Sequence, residues 1–464
     1  MNQRPELPRV MGLRDLVLLH VVAIVGLRWL LTAANIGPSS IILWLLAVLL
    51  FFIPQGLAVL ELSSRLPEEG GIYVWTREAF GPLHGFICGW AYWVNSLIYY
   101  PSVIIFVAGN AVFILGRQYA GLADNTIYQV IFSLGILWLA MGLNIVGLKT
   151  GRWVQNTGAF AKWVVVALLI ILGAAAWSLG MGQNPFTAGA LVPDLSRNSL
   201  GLWSSLCFAL AGLELAVIMG GEVRDPARSL PRSILVAAPL IAGIYIVGTL
   251  AVLTAFSTSG VDLVTGVVEA IGATGERLGL PLFRIAGFLI VLAGLGGLGA
   301  WLAGTARIPF VVGLDRYMPQ VLGRIHPRWG TPHVALMVQG VGASIFILLG
   351  ALGSSVEEAY MVLVDTTIIV YFIPYLYMFL ALPVLRRRGV GPERPTFTIP
   401  GGMKVVYLVA ASGFATTAVS IVLATIPAEV VASPLRFFVK VVGGAAGLIA
   451  IGLVFYFRGL RSHR

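Results

Sequence analysis

The chain has 464 residues, 58% of them hydrophobic and only 11% charged, which excludes a water-soluble fold and points to a helical protein crossing the membrane many times. A net charge of +10 would suit nucleic acid if it were concentrated, but the basic residues are dispersed over short loops. Two cysteines, Cys88 and Cys207, both in apolar stretches, supply neither a disulfide framework nor a zinc site.

The N-terminus, MNQRPELPRVMGLRD, has no small-residue cleavage site behind a short apolar core, so it reads as a cytoplasmic tail rather than a signal peptide. Twelve apolar segments follow, each near or above the roughly 20 residues that a spanning helix needs. They lie at about 15–36, 41–63, 84–115, 127–147, 153–179, 199–221, 233–256, 283–305, 333–352, 358–384, 404–426 and 436–457. No polar linker divides them, so residues 1–464 are predicted to form one transmembrane domain.

The first segment organises the rest. Its stretch VAIVGLRWLLTAANIG places Gly26 near the centre of the apolar run and Arg28 two residues on, the only charge between Asp15 and Glu61. Glycine weakens a helix there, and a charge at the bilayer centre costs about 2.5–3.5 kcal/mol on insertion scales. A broken helix in lipid also leaves N–H and C=O groups without partners. Break and charge are both tolerable where the segment lines a binding site at the midplane. The alternative is an ordinary packed helix whose Arg28 snorkels or meets a structural carboxylate. Between segments two and three, Gly70-Gly71 marks a turn in an amphipathic loop. Asn95 and Tyr99 share one face of segment three, and the cost of an amide in lipid predicts that Asn95 faces inward. Segment five carries Lys162. The centre of segment six reads Phe208-Ala209-Leu210-Ala211-Gly212-Leu213-Glu214, a glycine and a lone carboxylate that match Gly26 and Arg28 as a second break.

The loop at 257–282 contains VDLVTGVVEAIGATGERLG, either a lid over the outer mouth or a solvated surface helix. Segment eight has no oxygen-bearing side chain from Ile285 to Gly304, which argues against sodium bound there. Asp365 lies in segment ten. His20 and His84 have no metal-ligand spacing and read as structural. No phosphate loop, histidine cluster or nucleophile elbow is present, so neither an enzyme nor a cofactor is expected.

With both termini in the cytoplasm, 22 of the 30 Lys and Arg fall in inner loops and tails and only six at the outer side, which sets the orientation in the plasma (inner) membrane. Segments one to five (15–179) and six to ten (199–384) superpose as two fives, with 404–457 left over. An odd number per repeat forces inverted topology.

Four stretches together resemble the amino acid–polyamine–organocation transporter superfamily over essentially the whole chain. They are Glu61 to Trp75 (ELSSRLPEEGGIYVW) with Ala79-Phe80-Gly81; ALAGLELAVIMGGEVRDPARSLPRSI; TARIPFVVGLDRYMP running to His326-Pro327-Arg328 and Thr331-Pro332; and the broken first helix. The resemblance implies an all-α, leucine-transporter-like fold of twelve transmembrane helices with a 5+5 inverted repeat, helices one and six unwound beside the substrate. The family usually carries a Gly-Ser-Gly-like turn in helix one, whose N–H groups hold a substrate carboxylate. Here Gly26-Leu27-Arg28 stands in its place, two bulky residues for two small ones.

On this reading Gly26, Leu27, Arg28, Asn95, Phe208, Ala209, Leu210, Ala211, Gly212 and Asp365 are the candidate substrate-binding residues. Arg28 presents a planar fork suited to a carboxylate; it either holds the substrate or pairs with Glu214 or Asp365. Asp365 either meets a substrate ammonium or pairs with Arg28. Phe208 aligns with the aromatic that lids the substrate in the family. Lys162 matches a fifth-helix lysine of proton-coupled members, where it looks like a replacement for sodium between helices one and eight; the alternative is a lysine that only serves freed carbonyls. Glu214 aligns with a helix-six glutamate implicated in proton coupling in the arginine/agmatine exchanger branch, or is simply hydrogen-bonded. The expected function is sodium-independent secondary transport of amino acids, by proton symport or exchange. The alternative is a polyamine or organocation permease; Arg28 would repel such a polycation, while Asp365 and Glu214 argue partly for one. The expected partners are a small-molecule substrate and the lipid bilayer, without nucleic acid; the sequence sets no oligomeric state.

Overall fold

In lipid a chain must satisfy its backbone polar groups internally, and long apolar runs do so as helices. The structure, a computed structural model, describes residues 9–193, 196–255, 262–314, 318–351, 356–427 and 433–461. In chain order the helices are α1 (Leu13–Ile24), α2 (Leu27–Ile36), α3 (Ser40–Arg65), α4 (Ile72–Phe80), α5 (Pro82–Ala111), α6 (Thr126–Val146), α7 (Leu148–Ser178), α8 (Arg197–Ala209) and α9 (Leu215–Ile218). They continue as α10 (Pro226–Ala255), α11 (Gly266–Arg277), α12 (Phe283–Thr305), α13 (Arg307–Leu314), α14 (His333–Gly350), α15 (Val356–Arg387), α16 (Gly402–Leu423) and α17 (Pro434–Arg461). Among the described residues there is no β-strand, only an isolated bridge between Met11 and Val223.

Among the described residues ten helices are long and apolar enough to cross a membrane, or eleven spans if the pair α1 and α2, bent by 44°, counts as one. The sixth apolar segment is shorter in helix: α8 stops at Ala209, and only four residues of α9 follow the gap. Large apolar side chains such as Ile127, Trp153, Phe160 and Leu408 stay exposed on the bundle's flank, as a lipid-facing belt requires. Inside α3 a π turn at Val48–Phe52 precedes Pro54, which has no N–H to continue the α ladder.

Tight packing beside the site depends on small residues. Helices α7 and α12 approach so closely at Gly158 and Gly296 that a Cβ on Gly296 would stand 2.6 Å from the Gly158 Cα. The amphipathic helix α11 buries Val267, Val268 and Ile271, so it packs on the bundle rather than floating as a solvated helix. Residues 256–261 ahead of it lie outside the described residues, as do Arg4, Asp315, Arg316, Tyr317 and Arg464.

Candidate functional site

The first break begins where Val25 N–H makes the last bond of α1, to Val21 O, and α2 starts at Leu27. A helix end leaves its last carbonyls without partners. Here three helices supply them: Lys162 Nζ donates to Val22 O at 2.6 Å, Trp301 Nε1 to Ala23 O at 2.9 Å and the Tyr245 hydroxyl to Ile24 O at 2.6 Å. Gly297 makes room for the lysine, since a Cβ there would stand 3.3 Å from Val22 O and 3.7 Å from Nζ. The freed Gly26 N–H donates to the same Tyr245 hydroxyl at 3.0 Å.

The second break spans Leu210 to Glu214, with Gly212 at φ +127°, where a side chain would be strained. Its N–H donates to the Tyr375 hydroxyl at 2.7 Å. Ala209 O lies 3.0 Å from the Tyr245 hydroxyl, so one tyrosine joins both breaks. Glu214, fully buried, is enclosed by phenols: Tyr92 at 2.8 Å and Tyr371 at 2.6 Å donate to Oε1, and Tyr375 at 2.6 Å to Oε2. Gln55 lies beside them, its amide 3.1 Å from the Tyr375 hydroxyl.

Arg28 is 3% exposed, yet it forms no ion pair with Glu214, Asp365 or any other described carboxylate. Its Nη1 donates to Ser102 Oγ at 3.0 Å. Its guanidinium carbon lies 4.3 Å from the centre of the Trp29 ring, 5.1 Å from Tyr99 and 5.7 Å from Tyr360, within cation–π range. Nη2 is buried without a partner. Burying an unpaired charge costs several kcal/mol, so this arrangement is stable only if an anion completes it or the rings offset the loss. The cavity beside it is lined by Gly26, Leu27, Arg28, Tyr99, Lys162 and Trp301 among others, with two cations and no carboxylate. Its free space is about 50 Å³, room for a few waters. The Trp29 indole lies over the break, 2.6 Å from where a Cβ on Gly26 would be.

The other candidate residues fall around this centre. Phe208 stands between the Arg28 aromatics and the phenol cage, its ring centre 5.6 Å from Trp29, 6.1 Å from Tyr99 and 5.5 Å from Tyr371. Ala209, Leu210, Ala211 and Gly212 are buried at the second break and do not border the Arg28 cavity. Asp365 lines a separate pocket, with Trp29, Thr32, Ser205, Tyr360 and Leu263. Asn95 is buried, as the cost of an amide in lipid predicts, but it borders neither pocket. His20 meets Ser233 Oγ at 3.2 Å and His84 the Tyr377 hydroxyl at 3.1 Å, both structural contacts. Sequence reasoning missed Tyr245, Trp301, Ser102, Tyr360 and the three phenols around Glu214. The signal was available: a tyrosine or tryptophan in a buried apolar helix needs a partner for its polar atom, and Tyr371 and Tyr375 share a helix face.

Two discontinuous segments meeting at a buried, partly charged centre inside a lipid-facing bundle define a membrane carrier for a small solute. The chain matches the amino acid permease family over residues 11–446 and belongs to it, a transporter of the amino acid–polyamine–organocation superfamily. It is 30% identical to an uncharacterized transporter of Legionella pneumophila, the match covering 90% of each chain. It is 24% identical to a protein of Lactococcus lactis named a probable agmatine/putrescine antiporter, over 90% of this chain and 88% of the relative. A serine/threonine exchanger of Bacillus subtilis is 28% identical over 78% of this chain and 79% of its own.

Proposed function

We propose that the protein is a secondary active transporter of amino acids in the cytoplasmic membrane, with both termini inside, and that Arg28 holds the substrate carboxylate. The observation that carries this reading is the buried guanidinium with an open Nη2 on a cavity that contains no carboxylate. The first N–H groups of α2 point the same way, because a helix N-terminus favours an anion. Asp365, in the separate pocket that Trp29 also lines, is positioned to receive an ammonium group, which suits a zwitterion better than a polycation. Substrate entry requires Trp29 and Phe208 to move, since the contracted cavity has no room for an amino acid. The two fives of helices, 15–179 and 199–384, supply the inverted halves between which the breaks lie.

Lys162 carries the coupling in this reading. Protonated, it holds α7 against the broken end of α1; on losing its proton it releases Val22 O and lets the halves part. Glu214, locked by three phenols, is the alternative proton carrier. Without oxygen-bearing side chains from Ile285 to Gly304 on segment eight, sodium has little to bind there.

The test is a thermal-shift screen of the purified protein against amino acids, amines and organic acids, since a ligand stabilises the state it binds. Arg28→Ala should weaken binding of the stabilising amino acid by about 30-fold or more, the cost of removing one partner of a buried charge pair. Arg28→Lys should rescue poorly, because it lacks the fork. Unchanged affinity in a folded Arg28→Ala protein removes Arg28 from the site.

A further inference from the structure

A second buried ionic cluster lies at the N-terminal face of the bundle. Glu222 is fully buried and Arg307 nearly so; Glu222 Oε1 accepts from Arg307 Nε at 2.7 Å and lies 2.5 Å from Nη2. Arg307 Nη1 is spent on Ala303 O. Glu222 Oε2 is left buried with no hydrogen-bond partner. Glu69 approaches from the loop after α3: its Oε2 stands 2.9 Å from where a Cβ on Gly221 would be, and its buried Oε1 has no partner either. Among the described residues, Arg307 and Glu222 are the charged groups that act on Glu69, while its neighbour Glu68 is exposed. Glu222 therefore holds the guanidinium directly, Glu69 lies within the field of both, and each carboxyl keeps an orphan oxygen. Fully ionised, the cluster buries one uncompensated negative charge. A single proton on Glu69 neutralises it and gives its orphan oxygen a hydrogen to donate.

The same residues close this face. Val10 N and Met11 N donate to Glu222 O at 2.9 and 3.0 Å, Arg224 N to Met11 O at 2.9 Å, and Gly70 N to Ile218 O at 3.1 Å. Ile218 ends α9, beyond the second break, and Arg307 follows directly on α12, which borders the midplane cavity.

We propose that Glu69 and Glu222 form a proton-binding site that latches the gate on the N-terminal face: one bound proton keeps it closed, and loss of that proton leaves two carboxylates competing for Arg307 and loosens it. The proposal rests on the transporter reading but on neither Lys162 nor the identity of the substrate. Burial raises the Glu69 carboxyl from 4.5 to about 7, against the pull of Arg307 and helped by the charge of Glu222. An open gate returns it towards its ordinary value. The closed form thus has its full advantage below about pH 4.5, loses it as pH rises towards about 7, and gains nothing from the proton above that.

Hydrogen–deuterium exchange of the full chain in nanodiscs tests this without any substrate. After correction for intrinsic exchange, protection of peptides covering Val10–Met11 and Gly70 should fall by up to about tenfold per pH unit between about pH 5 and 7, then level off. Glu69→Gln should keep its protection across the range. A flat wild-type profile overturns the proposal, as does a Glu69→Gln protein that follows the wild-type profile. A Lys162→Ala protein that loses the profile would place the proton at the midplane and overturn it too. Failure of amino acid transport in liposomes would leave this readout unchanged and bear only on the proposed function.

Discussion

Replacing Lys162 by alanine separates the coupling reading from a structural one. Nζ donates to Val22 O at 2.6 Å from a side chain only 6% exposed, a charge-assisted bond between α7 and the broken end of α1. Hydrogen bonds to charged groups contribute about 1.5–3 kcal/mol. Each 1.4 kcal/mol is a factor of ten, so losing the bond shifts the balance between joined and parted halves by about 10- to 100-fold. The alanine also leaves a void facing Gly297. In proteoliposomes, the wild type should accumulate a labelled amino acid that stabilises it in the thermal-shift screen, in proportion to an inward proton gradient and independently of sodium. Lys162→Ala should lose the gradient dependence while exchange of bound substrate survives. Normal gradient-driven accumulation by this variant would refute the role and move it to Glu214, where Glu214→Gln is the next variant, or leave pure exchange. Sodium-driven uptake at fixed pH would refute proton coupling altogether.

Two further outcomes follow from the geometry and the charges. Tyr245→Phe removes the hydroxyl shared by Gly26 N, Ile24 O and Ala209 O, leaving at least one buried donor and one acceptor orphaned at about 1–3 kcal/mol each; it should lower the thermal inactivation temperature in detergent, and an unchanged temperature would show that the breaks are held by other groups. A reporter fused after Arg464 should be active only in a cytoplasmic form, and activity confined to the outside would reverse the orientation drawn from the basic residues.

Much of this protein was legible along the chain because the physics involved is local. Apolar runs longer than a bilayer is thick specify spanning helices whatever they pack against, and among the described residues such helices, with α1 and α2 as a bent pair, lie at every run but the sixth, whose helix stops at Ala209. Gly26 and Gly212 mark the breaks, since glycine yields where a helix is under demand, and both breaks are present at those residues. An ionisable residue inside an apolar run is costly, which singled out Arg28, Lys162, Glu214 and Asp365 before any contact was known. The partners of those residues were decided only in three dimensions. Arg28 was open to pairing with Glu214 or Asp365, yet Glu214 is taken by phenols from α5 and α15 and Asp365 lines a separate pocket. No sequence spacing connects Tyr245 to both breaks, or Glu69 to Glu222 and Arg307, because each set is assembled from separate elements, 36 and 221 residues apart for Tyr245 with Ala209 and Ile24 and 85 for Arg307 with Glu222. Local propensity and hydropathy determine which segments form and where they fail; which buried group answers which is settled by packing, where a hydroxyl placed within 3 Å replaces the water that lipid does not provide.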